Sequence, residues 1–570
     1  MLSTKSSLLC PPLIKTSSLK QSLFPYNYNV GSCRKMHGST SWKTGVLYNG
    51  YSYFTSPCHP LQLELPKDEL VEEEESSGLG IVKFFQGKNI FLTGATGLLG
   101  KVLLEKILRS TPVGKVYLLI KAKDDEDALQ RLTKEIINSN LFECLRKKHG
   151  PLYEDFVREK MIPVVGNICE PNMGMSSECI DAIRRDVQVI IQSAASTTLN
   201  ERYDVLLAAN MSAPQRLMRF AKTCKNLKLF THISTAYVNG KREGIISEEP
   251  LVMGDNRRKE EKEDNLSNHT WPKSCARLDL ADEINMIFKS SMASTDYDAT
   301  KNLKKLGQER ADFFGWYNTY HLTKAIGEMV LDEIRGEVPV LIIRPTVIES
   351  SYKEPIPGWI QGNRMFDPVI LSYGKGQLPA FFGNPEVTMD IIPVDMLANT
   401  TIAAIANEGI NAEEPKLKVY QVATSVANPL KYSDFFEYLY EYFNSAPLRE
   451  SQSISRIEYF DNFNDFSRYT REEMSLRAGS EHTVASDKQN IQNRCKAKVA
   501  YAEQLCKLYE FVGFHNGNTE KLIGKMSNEE QVEFEINARK IDWKMYFQEV
   551  HVPGLRKHIL NGPRASSPST

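Results

Sequence analysis

Tyr320 and Lys324 stand four residues apart in "GWYNTYHLTKAIGE". A phenol and an ammonium one helical turn apart can deliver a proton to a substrate oxygen. Free tyrosine titrates at about pH 10, and an adjacent ammonium is expected to favour the phenolate and lower that value. The spacing alone is common, because Tyr-x-x-x-Lys also occurs at Tyr117/Lys121, Tyr237/Lys241 and Tyr297/Lys301. Tyr117 and Lys121 fall in an apolar run that reads as a strand, where four residues span about 13 Å. Tyr237 and Lys241 bracket the turn "VNG", and Tyr297 and Lys301 sit in a charged stretch. Tyr320 and Lys324 open a helix whose apolar stripe is Leu322, Ala325, Ile326, Met329 and Val330. That stripe leaves the pair together on the opposite face with Gly327, which would admit a cofactor or another backbone. A second hydroxyl could hold the same oxygen. "THISTAYVNG" supplies Ser234 and Thr235 at a strand end, and Thr235 is the expected choice of the two.

Such a pair needs a hydride donor. "FLTGATGLLGKVLLEKIL" places Gly94, Gly97 and Gly100 between an apolar strand and an amphipathic helix, flanked by Thr93, Leu98 and Leu99. The three glycines suit a tight turn, close approach of a pyrophosphate, and packing of helix on strand. The helix N-terminus then offers unpaired amides and a partial positive charge to phosphates. An NAD site favours an acid about twenty residues on. Lys121 and Lys123 stand there instead, which points to the 2′-phosphate of NADP, although Asp124 and Asp125 follow them.

The elements that position these groups alternate. "KNIFLTG", "KVYLLIKAK", "MIPVVGNI", "VQVIIQSAAS", "KLFTHIST" and "PVLIIRPTVI" read as six strands separated by helical patterns. That alternation predicts an α/β fold, a Rossmann-type doubly wound parallel sheet. Residues 241–314 interrupt it as a charged, largely helical insertion. From residue 401 to 562, "SDFFEYLYEYF", "KVAYAEQLCKLYEFVGF" and "EEQVEFEINARKIDWKMYF" predict a mostly helical C-terminal domain. Residues 66–400 would then be the dinucleotide-binding domain and 563–570 a disordered tail.

The chain has 570 residues, 41% hydrophobic and 25% charged, with net charge −1. That balance argues against a protein built to grip nucleic acid. None of the ten cysteines shows metal-ligand spacing, and no metal site is expected. No apolar run is long enough to span a bilayer, so any contact with lipid would be peripheral. Up to Leu63 there is no acid, while Ser, Thr, Lys and Arg abound; Glu64 is the first. This composition predicts a transit peptide and linker over residues 1–65 and a plastid address.

Together these features resemble the extended short-chain dehydrogenase/reductase superfamily. Within it, "TGATGLLGKVLLEKILR", "GWYNTYHLTKAIGE", "IRPTVIESSYKEPIPGWIQG" and "MDIIPVDM" resemble the alcohol-forming fatty acyl reductases of plants. "KVYQVATSVANPLKYSDFFEY" and "IDWKMYFQEVHVPGLRKHI" look like that family's C-terminal male-sterility domain, and the leader points to its plastidial, male sterility protein 2-like group. The resemblance implies reduction of a long-chain acyl thioester, on coenzyme A or acyl carrier protein, to a primary alcohol with two NADPH, for wax, cuticle or pollen-wall lipid. It implies that Gly94, Gly97 and Gly100 bind NADPH, that Tyr320 and Lys324 are catalytic, with Lys324 also touching the cofactor, and that Thr235 or Ser234 assists. Asn167 stands where many relatives carry an adenine-contacting Asp, and its amide could make that contact. "EPIPGWIQG" and the aromatics Phe435, Phe436, Tyr438, Tyr440 and Tyr442 are candidates for the acyl site. Two other readings stay open: reduction of a different carbonyl, or a non-catalytic NADPH-binding regulator.

Overall fold

A strand buried on both faces has no solvent side, so its sequence is apolar throughout. Every residue of β1 (Ile90–Thr93), β2 (Val116–Ile120), β4 (Val189–Gln192), β5 (Leu229–Ile233) and β6 (Val340–Pro345) is buried. With β3 (Met161–Val165) and β7 (Leu417–Val422) they form a seven-stranded sheet in the order β3-β2-β1-β4-β5-β6-β7. All six pairings are parallel. The computed structural model describes residues 78–254, 278–292, 296–412, 415–448, 454–479 and 512–560.

The doubly wound sheet expected from the alternating pattern is present, with one addition. β7 lies beyond residue 400, and the domain boundary expected there falls inside helix α4 (Val394–Ile410). α4 is the crossover that returns the chain to the sheet edge, and its residues are buried almost throughout. Uniform burial removes the apolar periodicity that would have marked it as one crossover helix. Many described residues after 400 share a hydrophobic core with the sheet: Phe435, Phe436, Trp543, Tyr546, Phe547 and Leu555 pack in the cluster that holds Ile90, Leu103 and Ile343.

The insertion is helical at Leu280–Met292 and Asp296–Phe314. It also holds a short strand, Gly244–Ile246, paired in parallel with Val512–Phe514. Residues 255–277 and most of "KVAYAEQLCKLYEFVGF" lie outside the described residues.

The sheet order reverses between β1 and β4, whose strands run side by side with Thr93 opposite Gln192. At such a switch point the connections leave to opposite faces and open a crevice at the carboxyl ends. The groups singled out in the sequence collect at that edge.

Candidate active site

β1 ends at Thr93, and its hydroxyl accepts a hydrogen bond from the Ala194 amide at 3.2 Å, tying the turn to the end of β4. Gly94 follows with φ 80°, a left-handed conformation glycine adopts without strain. A Cβ there would stand 2.7 Å from the Ala194 nitrogen. A Cβ on Gly100 would overlap the Gly94 carbonyl oxygen. These two glycines therefore serve the packing of turn on strand and helix on turn. Gly97 differs, because a Cβ there would meet only the Gly94 oxygen, at 3.3 Å. It caps helix α1 (Leu98–Ser110) with no side chain bonded to the first-turn amides. An open glycine edge and uncapped amides at a helix N-terminus fit a dinucleotide pyrophosphate. Leu98 and Leu99 are buried behind that turn.

Lys121 and Lys123 are exposed just past the end of β2. Asn167 follows β3, and its side chain is engaged locally, accepting from the Cys169 amide at 3.1 Å and donating to Glu170 at 2.9 Å. Sequence reasoning missed Arg216 on helix α2 (Ala213–Ala221). Burial pushes its pKa down, and its guanidinium and the Lys121 ammonium both act on the neighbouring Cys169. The lysine and Arg216 are distant in sequence, so no spacing links them.

Helix α3 (Thr319–Ile334) starts at Asn318, whose side chain accepts from the His321 amide at 3.0 Å. Lys324 is 2% exposed, and its ammonium donates to the carbonyl of Ile233, the last residue of β5, at 2.8 Å. That bond carries the helix to the strand end where Ser234 and Thr235 sit. Gly327 admits another backbone, since a Cβ would overlap the Asn210 carbonyl oxygen. Asn210 lies in the π-helical turn Ala208–Ser212 and reaches Thr323 and both backbone groups of Ser196. It links α3 to the loop after β4, and a lone Asn in "LAANMSAP" gives no signal of that role.

The electrostatics differ from the expectation at one point. Burial pushes the Tyr320 phenol up rather than down, and that of Lys324 falls to about 8 through burial, partly opposed by Glu328. The lysine is committed to Ile233, so desolvation governs the phenol and keeps it protonated. A protonated phenol is the form that gives a proton.

The two hydroxyls are also unlike. Thr235 accepts from the Tyr237 amide at 3.4 Å and donates to the Pro345 carbonyl at 3.5 Å. The Ser234 hydroxyl is buried and has no partner. The geometry therefore favours Ser234 over Thr235 as the uncommitted group.

Two rival pairs are set aside by their partners. Tyr117 donates to Asp186 at 2.8 Å while Lys121 is exposed, and Lys241 pairs with Asp312 at 3.1 Å. "EPIPGWIQG" runs along α1. Its Glu354 binds Lys106 and Arg109, each at 2.8 Å, and its Gln361 donates to the Thr96 carbonyl at 3.2 Å, over the glycine turn. Phe435 and Phe436 are fully packed against other aromatic rings, including Phe381 and Phe547.

Comparison with known proteins bears on this site. Two family models, each described as male sterility protein, match residues 92–401 and 488–562. The chain is 44% identical to the chloroplastic fatty acyl-CoA reductase 2 of Arabidopsis thaliana, over 85% of this chain and 80% of that protein. The chain belongs to the fatty acyl-CoA reductase family. It is an oxidoreductase with a nicotinamide-dinucleotide-binding domain of the extended short-chain type. The alcohol-forming fatty acyl-CoA reductase of Simmondsia chinensis is 35% identical, over 84% of this chain and 99% of that one. A solved reductase domain from the myxalamid biosynthetic pathway shares the fold, with TM-score 0.52 and 16% identity over 83% of this chain and 92% of that chain. The chloroplast location expected from the acid-free leader accords with the Arabidopsis relative; the leader itself lies outside the described residues.

Proposed function

We propose that this reductase converts a long-chain fatty acyl thioester to the primary alcohol with NADPH, in the plastid. The observation that supports the reading is the Lys324–Ile233 bond, which holds Lys324 at the end of β5, next to Ser234 and Thr235 in the chain, with Tyr320 one turn earlier on the same helix. The names of the Arabidopsis and Simmondsia relatives supply the substrate class. Lys121, Lys123 and Arg216 would hold the adenosine 2′-phosphate, which supports NADPH over NADH.

The nicotinamide, when bound, supplies hydride. Ser234 holds the thioester carbonyl oxygen, and Tyr320 donates its phenolic hydrogen to that oxygen as charge develops on it. Lys324, fixed on Ile233, orients α3 and offsets the negative charge. The carbon–sulfur bond then breaks, the thiol leaves, and an aldehyde remains in the same crevice. A second round at the same residues gives the alcohol. Each acyl thioester with two NADPH and two protons thus yields one alcohol, one free thiol and two NADP+.

The test uses protein starting at Glu64, with NADPH or NADH and either palmitoyl-coenzyme A or palmitoyl-acyl carrier protein. Gas chromatography–mass spectrometry reads the lipid products. Hexadecanol with two NADPH consumed is expected, and Tyr320→Phe should lower turnover by about 10²–10⁴-fold with NADPH binding retained. The carrier giving the faster reaction identifies the physiological thioester. NADPH binding without alcohol or aldehyde from any acyl chain would overturn the reading.

A further inference from the structure

Glu349, Asp367 and His551 meet in the interior. Glu349 ends the short strand Val347–Glu349, Asp367 starts helix Asp367–Gly374, and His551 closes the π-helical turn Tyr546–His551. All three side chains are 0–1% exposed. The His551 Nε2 lies 3.2 Å from Asp367 Oδ1 and 4.0 Å from Glu349 Oε2. None of these three atoms has a hydrogen-bond partner.

The other polar atom of each group is committed. Glu349 Oε1 accepts from the Phe366 amide at 3.2 Å, and Asp367 Oδ2 accepts from the Arg364 amide at 2.9 Å. His551 Nδ1 contacts the Ser350 hydroxyl at 2.8 Å. That hydroxyl also contacts the Tyr546 hydroxyl at 3.2 Å, which donates to the Ser350 carbonyl at 2.8 Å. A carbonyl only accepts, so the tyrosine hydrogen is used there. The serine hydrogen must then point at Tyr546, and Nδ1 must carry the hydrogen given to Ser350. With a neutral ring this puts a hydrogen in every contact. It leaves the Nε2 lone pair facing two carboxylate oxygens, three acceptors around one point.

Three converging acceptors in a dry interior call for a proton or a cation between them. Arg364 acts electrostatically on both carboxylates, but its Nε hydrogen-bonds to neither. Two ligands at about 2.1 Å from a tetrahedral ion stand about 3.4 Å apart, close to the observed separations. We propose that Glu349, Asp367 and His551 bind a divalent transition-metal cation of the zinc class. One imidazole and two carboxylates suit such an ion and neutralise its charge, and three protein ligands leave a fourth position for one water. The Ser350–Tyr546 chain fixes the imidazole, as an outer hydrogen bond does for metal-bound histidines. Glu349 and Asp367 come from the segment matched by the first family model and His551 from the second, so the ion would fasten the C-terminal segment to the reductase core.

The deciding measurement is the metal content of the chain starting at Glu64, grown with zinc and purified without chelator. Elemental analysis should find about one zinc per chain. A strong chelator should lower the Tm, and zinc should restore it. Ser350→Ala, which spares all three ligands, should weaken zinc retention about 10–100-fold, and Asp367→Asn should abolish it. The wild type alone can refute the proposal, should either variant fail to fold. Metal below ~0.1 per chain, with no Tm change on adding zinc or manganese, would mean that the three atoms share a proton instead.

Discussion

Tyr320 and Lys324 are set up by one decision of burial. Placing Lys324 almost out of water lowers its pKa from the ordinary 10.5 to about 8. The sign for stability follows directly. Between those values the folded lysine holds fewer protons than the unfolded one, so stability rises with pH across that window. The full span amounts to about 3 kcal/mol. Denaturant unfolding of the cofactor-free protein at pH 7.5 to 10 should show this rise, and Lys324→Met should flatten it. An unchanged slope in the variant would mean that Lys324 titrates normally. The glycine turn was legible in the sequence because Gly94 and Gly100 answer local backbone demands. Which of the Ser234 and Thr235 hydroxyls is left uncommitted was not, since that depends on Tyr237 and Pro345, whose placement only the fold determines. Nor was the direction of the Tyr320 shift, because spacing shows the neighbouring charge but not the depth of burial. The metal-binding cluster was hidden for the same reason: His551 lies just over two hundred residues from Glu349.

At the level of elements, α3 is held against its neighbours by fit and charge together. Gly327 lets the Ala208–Ser212 turn approach, and Glu328 meets Arg344 of β6 in a buried ion pair at 2.6 Å. Gly327→Ala should wedge the helix away from Asn210 at a cost of about 1–3 kcal/mol. The displacement moves Lys324 relative to Ile233, so kcat should fall more than the lost stability explains. Thermal unfolding beside steady-state kinetics checks this, and a fall in Tm with normal kcat would show that the approach serves packing alone. The strands β1 to β6 were readable as apolar runs because helices cover both faces of the sheet. β7 was missed because it follows a helix that crosses the expected boundary, and "LKVYQV" mixes polar with apolar residues at a sheet edge.

At the level of the molecule, the C-terminal segment completes the reductase rather than sitting beside it. Strand Val512–Phe514 pairs with the insertion, and Glu248 of the insertion accepts the amides of Gln421 in β7 and Asn518 in the helix that follows, at 2.8 and 2.7 Å. Lys106 of α1 bonds the Glu533 carbonyl, and Asn428 donates to Ala538 and Ile541. Trp543, Tyr546, Phe547, Val552 and Leu555 are all buried in the core shared with α1 and α4. Each large apolar side chain buried this way contributes about 1.5–3 kcal/mol, and the five together exceed half of a typical net stability of about 5–15 kcal/mol. A chain ending at residue 511 should therefore fail to give soluble protein with a cooperative unfolding transition, even though every residue of the crevice remains. Residues 488–562 alone should also stay unfolded, since the reductase supplies the other side of their core. Recovery of a truncated protein that unfolds cooperatively and still binds NADPH would show instead that the reductase is an independent domain and that the C-terminal segment serves only the acyl substrate.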